Sequence, residues 1–316
     1  MFHKEFPDYT WLKQQTEKAF REPINGQANK FVREGWPVVI MNATSTFCHR
    51  PDLKGPFSIF TNISGSSSVQ VGSRRVTVSE DSFIITNKAQ YYTLDIDSST
   101  PIETFNLHLG QDVWEEYTYS CASTDLQQLD SPEYSQYTTL AEFPNLLQTR
   151  NQSINAALAK LYSLSQNPNY TKLQLDEHLV LLFQALAGQK RELLQAASRI
   201  PQAKQSTRAE LHKRISLATD FILSNPSEQC TLDELASMAC MSKFHFLRTF
   251  TSIYRSTPHQ FILGQRLQRS QRLLRKTNLS VGEVGTICGF PEIVSFSRAF
   301  TKYTGCSPAV FRQKSK

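Results

Sequence analysis

Several features are missing from this sequence, and each absence narrows what it can be. Its six cysteines, Cys48, Cys121, Cys230, Cys240, Cys288 and Cys306, are scattered, with no C-x-x-C pair and no His at zinc-ligand spacing. They read as free thiols packed as small hydrophobes, so no metal, redox centre or other cofactor is expected. No apolar run approaches the roughly 18 residues of a membrane span. The opening, MFHKEFPDYTWLKQQTEKAF, has neither the basic nor the apolar region of a signal peptide. The expectation is a cytoplasmic protein that does not enter a membrane. Disorder is equally disfavoured, because 316 residues with 40% apolar and 20% charged side chains can fill two domain cores.

Charge is unevenly distributed. From residue 208 onward there are 16 Lys and Arg against 7 Asp and Glu, a surplus of +9, whereas the preceding part carries −3. A basic terminal third suggests a polyanion partner. Texture divides the chain at the same place. Residues 57–110 alternate as strands do, in FSIFTNISG, SVQVGSRRVTVSEDSFIITN, YYTLDID and ETFNLHLG, with breaks at Gly72-Ser73 and Glu80-Asp81. An antiparallel sheet, sandwich or small barrel is expected there. Helical spacing takes over from about 140 to 200, where Leu179, Leu182, Phe183 and Leu186 form one stripe, suited either to a core or to a dimer interface. The polar stretch IPQAKQSTRAE then reads as a linker, placing the domain boundary near 205 and giving domains 1–205 and 206–316. The fold class is α+β: an antiparallel β domain with accessory helices, then an all-α domain.

The basic third contains a repeat. Thr231-Leu-Asp-Glu234 overlays Ser280-Val-Gly-Glu283, so both copies open with the S/T-x-x-E capping box that starts a helix. Leu235, Met238 and Ala239 overlay Val284, Ile287 and Cys288, one apolar side of a short helix. After a turn, Phe246, Phe250 and Ile253 overlay Phe296, Phe300 and Tyr303, the stripe by which a second helix packs on the first. Thr257-Pro258 and Ser307-Pro308 then cap the next helices. Two short helices joined by a tight turn, the second basic outside, have the form of a helix-turn-helix that reads the major groove, and here there are two, at about 231–254 and 280–304. Opposite the Phe stripe lie Phe244 and Arg248 in one unit and Val294 and Arg298 in the other, flanked by Leu247 and Ser297, with Ile293 at the edge. Lys243 and Lys302 suit phosphate contacts, and His245 suits packing. The intervening helix, about 257–276, would span about 30 Å at 1.5 Å per residue, close to the roughly 34 Å between successive major-groove faces. Arg266, Arg269, Arg272, Arg275 and Lys276 supply its charge; Leu263, Leu267 and Leu274 supply packing.

SVGEVGTICGFPEIVSFSRAFTKYTGCSPAVFR resembles the signature of the AraC family of bacterial transcription regulators, through Gly289-Phe290, Phe296, Arg298, Phe300, Gly305, Pro308 and Arg312. The likeness spans about 210–314, and the strands ahead more loosely resemble the cupin-like sensing domain of many members. It implies a seven-helix DNA-binding domain with recognition helices at about 242–254 and 292–304. By position, groove contacts fall to Phe244, Leu247 and Arg248, then to Ile293, Val294, Ser297 and Arg298, with Lys243 beside them. The implied partners are double-stranded promoter DNA, a small-molecule effector held by inward residues of strands 57–110, RNA polymerase and a second copy. Tyr91, Tyr92, Arg74 and His108 have the chemistry for an effector site, but sequence does not establish their facing. Two other classes remain open: a metal-dependent cupin-type enzyme with a DNA-binding tail, and an architectural protein without sequence preference. Against the first, the chain lacks the H-x-H, carboxylate and distant His of metal-binding cupins, so His108 and the Cys48-His49 pair are not expected to hold metal.

Overall fold

The computed structural model describes residues 1–19, 36–110, 112–123, 142–201 and 204–315. Two compact units emerge, Met1–Glu192 and Leu193–Lys316. The division falls ahead of the expected position near 205 for a packing reason. Ile200 is buried in the helical core of the second unit, and Arg199 Nη1 donates to the carbonyl of Ile253 at 3.0 Å.

In the first unit, β1 (Phe2–His3), β2 (Val39–Lys54), β3 (Phe57–Ser64), β4 (Ser67–Val71), β5 (Arg74–Val78), β6 (Ser82–Thr86), β7 (Tyr91–Leu109) and β8 (Gln148–Thr149) form one sheet. Its order is β1-β2-β7-β3-β6-β8, with β4 paired to β5 and β7. All pairings are antiparallel except β1 with β2. In β4 every second residue is buried, the alternation of a half-buried strand, whereas all of β6 is buried. YYTLDID and ETFNLHLG, which read as two strands, are one, because β7 pairs with β2 from Val39↔His108 to Lys54↔Tyr91 and bends at two register shifts. Strand β2 escaped the sequence reading: four consecutive buried residues precede a largely exposed stretch, so no period of two stands out.

Helices α1 (Tyr9–Ala19), α2 (Val113–Ala122), α3 (Gln152–Ser165) and α4 (Lys172–Ser198) accompany the sheet. Trp114 of α2 is fully buried, stacked on Phe57 at 5.1 Å and edge-on to Phe183 of α4 at 5.7 Å. Leu179, Leu182, Phe183 and Leu186 are all buried within this chain. That decides between the two uses of the stripe: it is core.

The second unit is helical: α5 (Gln205–Ser224), α6 (Leu232–Met238), α7 (Lys243–Tyr254), α8 (Pro258–Lys276), α9 (Val281–Ile287), α10 (Ile293–Thr304) and α11 (Pro308–Ser315). Capping boxes start α6 (Thr231 with Glu234) and α9 (Ser280 with Glu283), and a third, Thr257 with Gln260, starts α8 behind Pro258. Hydrogen bonds from Thr231, first from its backbone, lower the Glu234 pKa; Ser280, first through its side chain, does the same for Glu283. Each copy of the repeat has its own core. Phe246, Phe250 and Ile253 close on Leu235, Ala236 and Ile215; Phe296 and Phe300 close on Val284, Cys288 and Leu267. Two members of the expected stripes fall outside these cores: Ile287 is 38% and Tyr303 48% exposed.

The copies differ where the backbone turns left-handed. Gly289 (φ 80°) follows α9 and Gly305 (φ 79°) ends α10, but Cys240 (φ 50°) and Arg255 (φ 54°) hold the same positions in the first copy. A side chain in that region costs about 1–2 kcal/mol, against about 0.5–1 for the extra freedom glycine loses on folding. Cys240→Gly is therefore expected to raise stability by about 0.5 kcal/mol, read as a higher urea midpoint. A lower midpoint would refute the strain.

Candidate nucleic-acid interface

Burying Phe246 and Phe250 beneath α7, and Phe296 and Phe300 beneath α10, forces the residues half a turn away into solvent. Phe244 is 82% exposed, Val294 61% and Ile293 53%, the last two adjacent at the start of α10. Arg248 and Arg298, each the sixth residue of its helix, are exposed, and Leu247 and Ser297 are half-buried beside them. Among the described residues no ion pair engages either arginine. Ile293, Val294, Ser297, Arg298, Thr301 and Lys302 line one shallow depression along α10. Ile293 leans toward α9: its Cδ1 lies 3.5 Å from where a Cβ on Gly282 would sit.

Two residues behave differently from the sequence expectation, and a third, Lys243, has a partner in the fold. Lys243 Nζ is paired with Asp233 of α6 at 2.8 Å, so the cation is partly neutralised before any phosphate approaches. His245 is exposed and packs in no core. Arg266, read as surface charge on α8, turns inward. Its Nε donates to Pro226 O at 2.9 Å, Nη1 to Gly289 O at 3.0 Å and Nη2 to Glu228 O at 2.9 Å. Gln229 Nε2 also donates to Gly289 O, at 2.9 Å. The same seam explains the glycine, since a Cβ on Gly289 would meet Ser227 O at 2.5 Å. The loop ahead of α6 is thus bonded to the turn between α9 and α10, with a planar guanidinium as the bolt. Sequence signals no such role, because all three acceptors are carbonyls distant in the chain.

A family model described as "Helix-turn-helix domain" matches residues 235–314. The tail is an AraC-type helix-turn-helix domain. The bifunctional transcriptional activator/DNA repair enzyme AdaA of Bacillus subtilis is 34% identical over 102 residues, 32% of this chain and 48% of its own length. The HTH-type transcriptional regulator AlkR of Acinetobacter baylyi is 31% identical over 107 residues, 34% of this chain and 35% of its own. This chain therefore spans about half or less of either relative. The solved DNA-binding domain of AdpA, in complex with a target DNA, is 35% identical, covers 32% of this chain and 91% of its own, and aligns with a TM-score of 0.31. In the AraC-type domain of the present chain, the two capped units and their Phe cores are the elements that hold the exposed faces of α7 and α10.

The first unit contains a cavity of about 530 Å³, within the range of small-molecule sites. Its lining includes the apolar Phe6, Trp11, Leu12, Trp36, Val39 and Met41, Tyr92 and His108 of β7, and the polar groups of Met1, His3, Glu5, Gln15 and Thr16. It differs from the expected pocket, since the apolar residues of β3 and β6 are packed solid and only Tyr92 and His108 of the four candidates reach it. Tyr91 is 56% exposed with Lys54 over its ring, and Arg74 is not among the lining residues. Among the described residues, no three of His, Cys, Asp and Glu come together to hold a metal ion.

Burial pulls the His108 pKa down to about 4 from 6.5. The sign follows from linkage. Above 6.5 the imidazole is neutral in both folded and unfolded chains; between 6.5 and about 4 only the unfolded chain takes up the proton. Stability is thus held above 6.5 and lost as pH falls through this window, by about 3 kcal/mol at its foot. His108→Phe is expected to flatten that part of the stability–pH profile measured by urea unfolding. An unchanged slope would mean that His108 is protonated in the fold.

Proposed function

We propose that this protein is a sequence-specific, DNA-binding transcription regulator controlled by a small molecule bound in its first unit. One observation carries the reading: the chain twice builds a capped helix-turn-helix whose second helix exposes an arginine and large apolar side chains on the face opposite its core. Surface apolar groups of that size, with a cation one turn on, suit base edges and thymine methyls of a major groove. In this reading α7 contacts DNA through Phe244, Leu247 and Arg248, with Lys243 on phosphate, and α10 through Ile293, Val294, Ser297 and Arg298. The seven-helix and cupin-like assignments, promoter contacts with RNA polymerase and pairing of two copies belong to the same reading. So does residence in the cytoplasm, where a bacterial regulator meets its DNA. Support for pairing comes from Leu173, Val180 and Leu181, exposed on α4.

A gel-shift titration against random-sequence competitor at fixed salt tests the function, with the DNA just upstream of its own reading frame as first probe. Equal affinity for all sequences would leave an architectural protein. Effector control needs a ligand that binds one arrangement of the chain better than another. The apolar face of α10 makes a finer prediction. Val294 cannot hydrogen-bond a base edge, so it reads a thymine methyl. Val294→Ala should lower affinity for sites with that thymine several-fold while leaving thymine-free sites nearly unchanged. An unaltered ratio between the two would refute the contact.

A further inference from the structure

The first recognition helix has an anchor that its counterpart in the second copy lacks. Helix α7 ends at Tyr254, and the carbonyls of its last turn have no partners within the helix. That of Thr251 accepts from the backbone of Arg255 at 2.9 Å, but that of Ile253 accepts from Arg199 Nη1 at 3.0 Å. A guanidinium in this place supplies a hydrogen bond and opposes the negative end of the helix dipole. Arg199 comes from outside the repeat: it directly follows α4, whose residues from Leu193 belong to the second unit. Its neighbours share the task. Ile200 is buried in the core of the first copy with Phe246, Phe250 and Ile253, and Ala196 packs against that core.

The second copy is finished differently. Tyr303 holds the position of Ile253, yet it is 48% exposed where Ile253 is 1%. Helix α10 ends on the left-handed Gly305, and among the described residues no side chain reaches the carbonyl of Tyr303. None of residues 193–200 belongs to the core formed by Phe296 and Phe300. A segment lying ahead of the matched residues 235–314 thus completes one copy of the repeat only.

We propose that residues 193–200 position the first recognition helix and not the second, with Arg199 as the positioning residue that sets the angle at which α7 meets its half of the DNA site. This rests on the reading of α7 and α10 as DNA-contacting helices. Arg248 lies on the same helix as Ile253, about 7.5 Å away along the axis at 1.5 Å per residue, so a tilt of the anchored end moves the arginine with it. A two-pronged contact to a base tolerates displacements of only about 0.5 Å. Arg199 itself touches no base or phosphate in this arrangement; it acts through α7.

The test uses the full chain and the preferred DNA site from its own upstream region, divided into its two halves. The half whose binding falls in Arg248→Ala is that of α7, and the half whose binding falls in Arg298→Ala is that of α10. In gel shifts, Arg199→Ala should bind the α7 half about 3–10-fold more weakly, the size of roughly one net hydrogen bond. Binding to the α10 half should stay within about twofold, because the two copies have separate cores. Arg199→Gln, which removes the charge and keeps the stem, should show the same selective loss and serves if the alanine variant does not fold. Arg199→Lys should restore the α7 half to within about twofold of the unaltered chain, since an ammonium can still donate to a single carbonyl. Failure of lysine to restore it overturns the proposal, as does an equal loss on both halves. A lower urea midpoint with both half-site affinities intact leaves a structural contact and also overturns it. The slope of log K against log salt should not change; a slope flatter by about 0.9 would make Arg199 a phosphate contact instead. If the unaltered chain has no preferred site, the functional reading falls and this inference with it. A preferred site whose halves respond to Arg248 and Arg298 but not to Arg199 keeps that reading and removes only this inference.

Discussion

Arg266→Ala is expected to lower the stability of the second unit by about 2–3 kcal/mol and to weaken binding to a two-part DNA site by about 10–100-fold. The first figure follows from three charge-assisted hydrogen bonds to carbonyls, each worth about 1.5–3 kcal/mol net, reduced because the side chain is only half-buried and Gly289 O keeps its bond from Gln229. The second follows from geometry. Each copy of the repeat has its own core, so neither recognition helix is positioned by the other's packing. The shared helix α8 and the Arg266 seam fix their separation. Linked modules gain affinity because the second contact is intramolecular, and that gain falls when the spacing loosens. Gel shifts on a two-part site and on either half alone make the measurement. If the variant loses the same factor on half sites as on the whole, the seam is a stability contact and nothing more. Arg266→Lys should recover little, since an ammonium lacks the planar fork that reaches three carbonyls.

The double replacement Arg248→Ala with Arg298→Ala is expected to reduce affinity for the specific site by about 10²–10⁴-fold with little change in stability. A bidentate arginine to guanine contributes about 1–3 kcal/mol of discrimination, and the two lie in separately packed units, so their effects should nearly add. Exposure and the absence of a described ion partner mean that removing them breaks nothing within the fold. Salt titrations tell base from backbone. Loss of two base contacts lowers the ratio of specific to random-sequence binding, whereas loss of two phosphate contacts leaves that ratio and flattens the slope of log K against log salt by about 0.9 per phosphate. A combined loss below tenfold would remove both arginines from the interface.

Sequence by itself determined the elements whose causes are local. Helix starts at Thr231 and Ser280 depend on residues three apart, and both expected capping boxes form; Thr257 caps α8 ahead of Pro258 as expected and gains a box with Gln260. The inward Phe246, Phe250, Phe296 and Phe300 follow from spacing on a single helix, and so does the outward placement of Phe244, Arg248, Val294 and Arg298. Limits appear at the ends of those stripes, where periodicity cannot say how far the partner helix extends, and Ile287 and Tyr303 emerge into solvent.

Only the tertiary structure decided matters that hang on partners remote in the chain. Strand β7 is continuous because β2 runs beside it, and β2 itself lacks a clean period. The Leu179 stripe is core because Trp114 and its neighbours supply the opposite surface. Arg266 is a fastener because carbonyls of residues 226, 228 and 289 converge on it. His108 faces a cavity because the segment around Phe6 and α1 lies across β2 and β7. Spacing within one element sets which face a residue occupies; what lies against that face is a long-range fact, and the burial, pKa and hydrogen bonding of Arg266 and His108 depend on it.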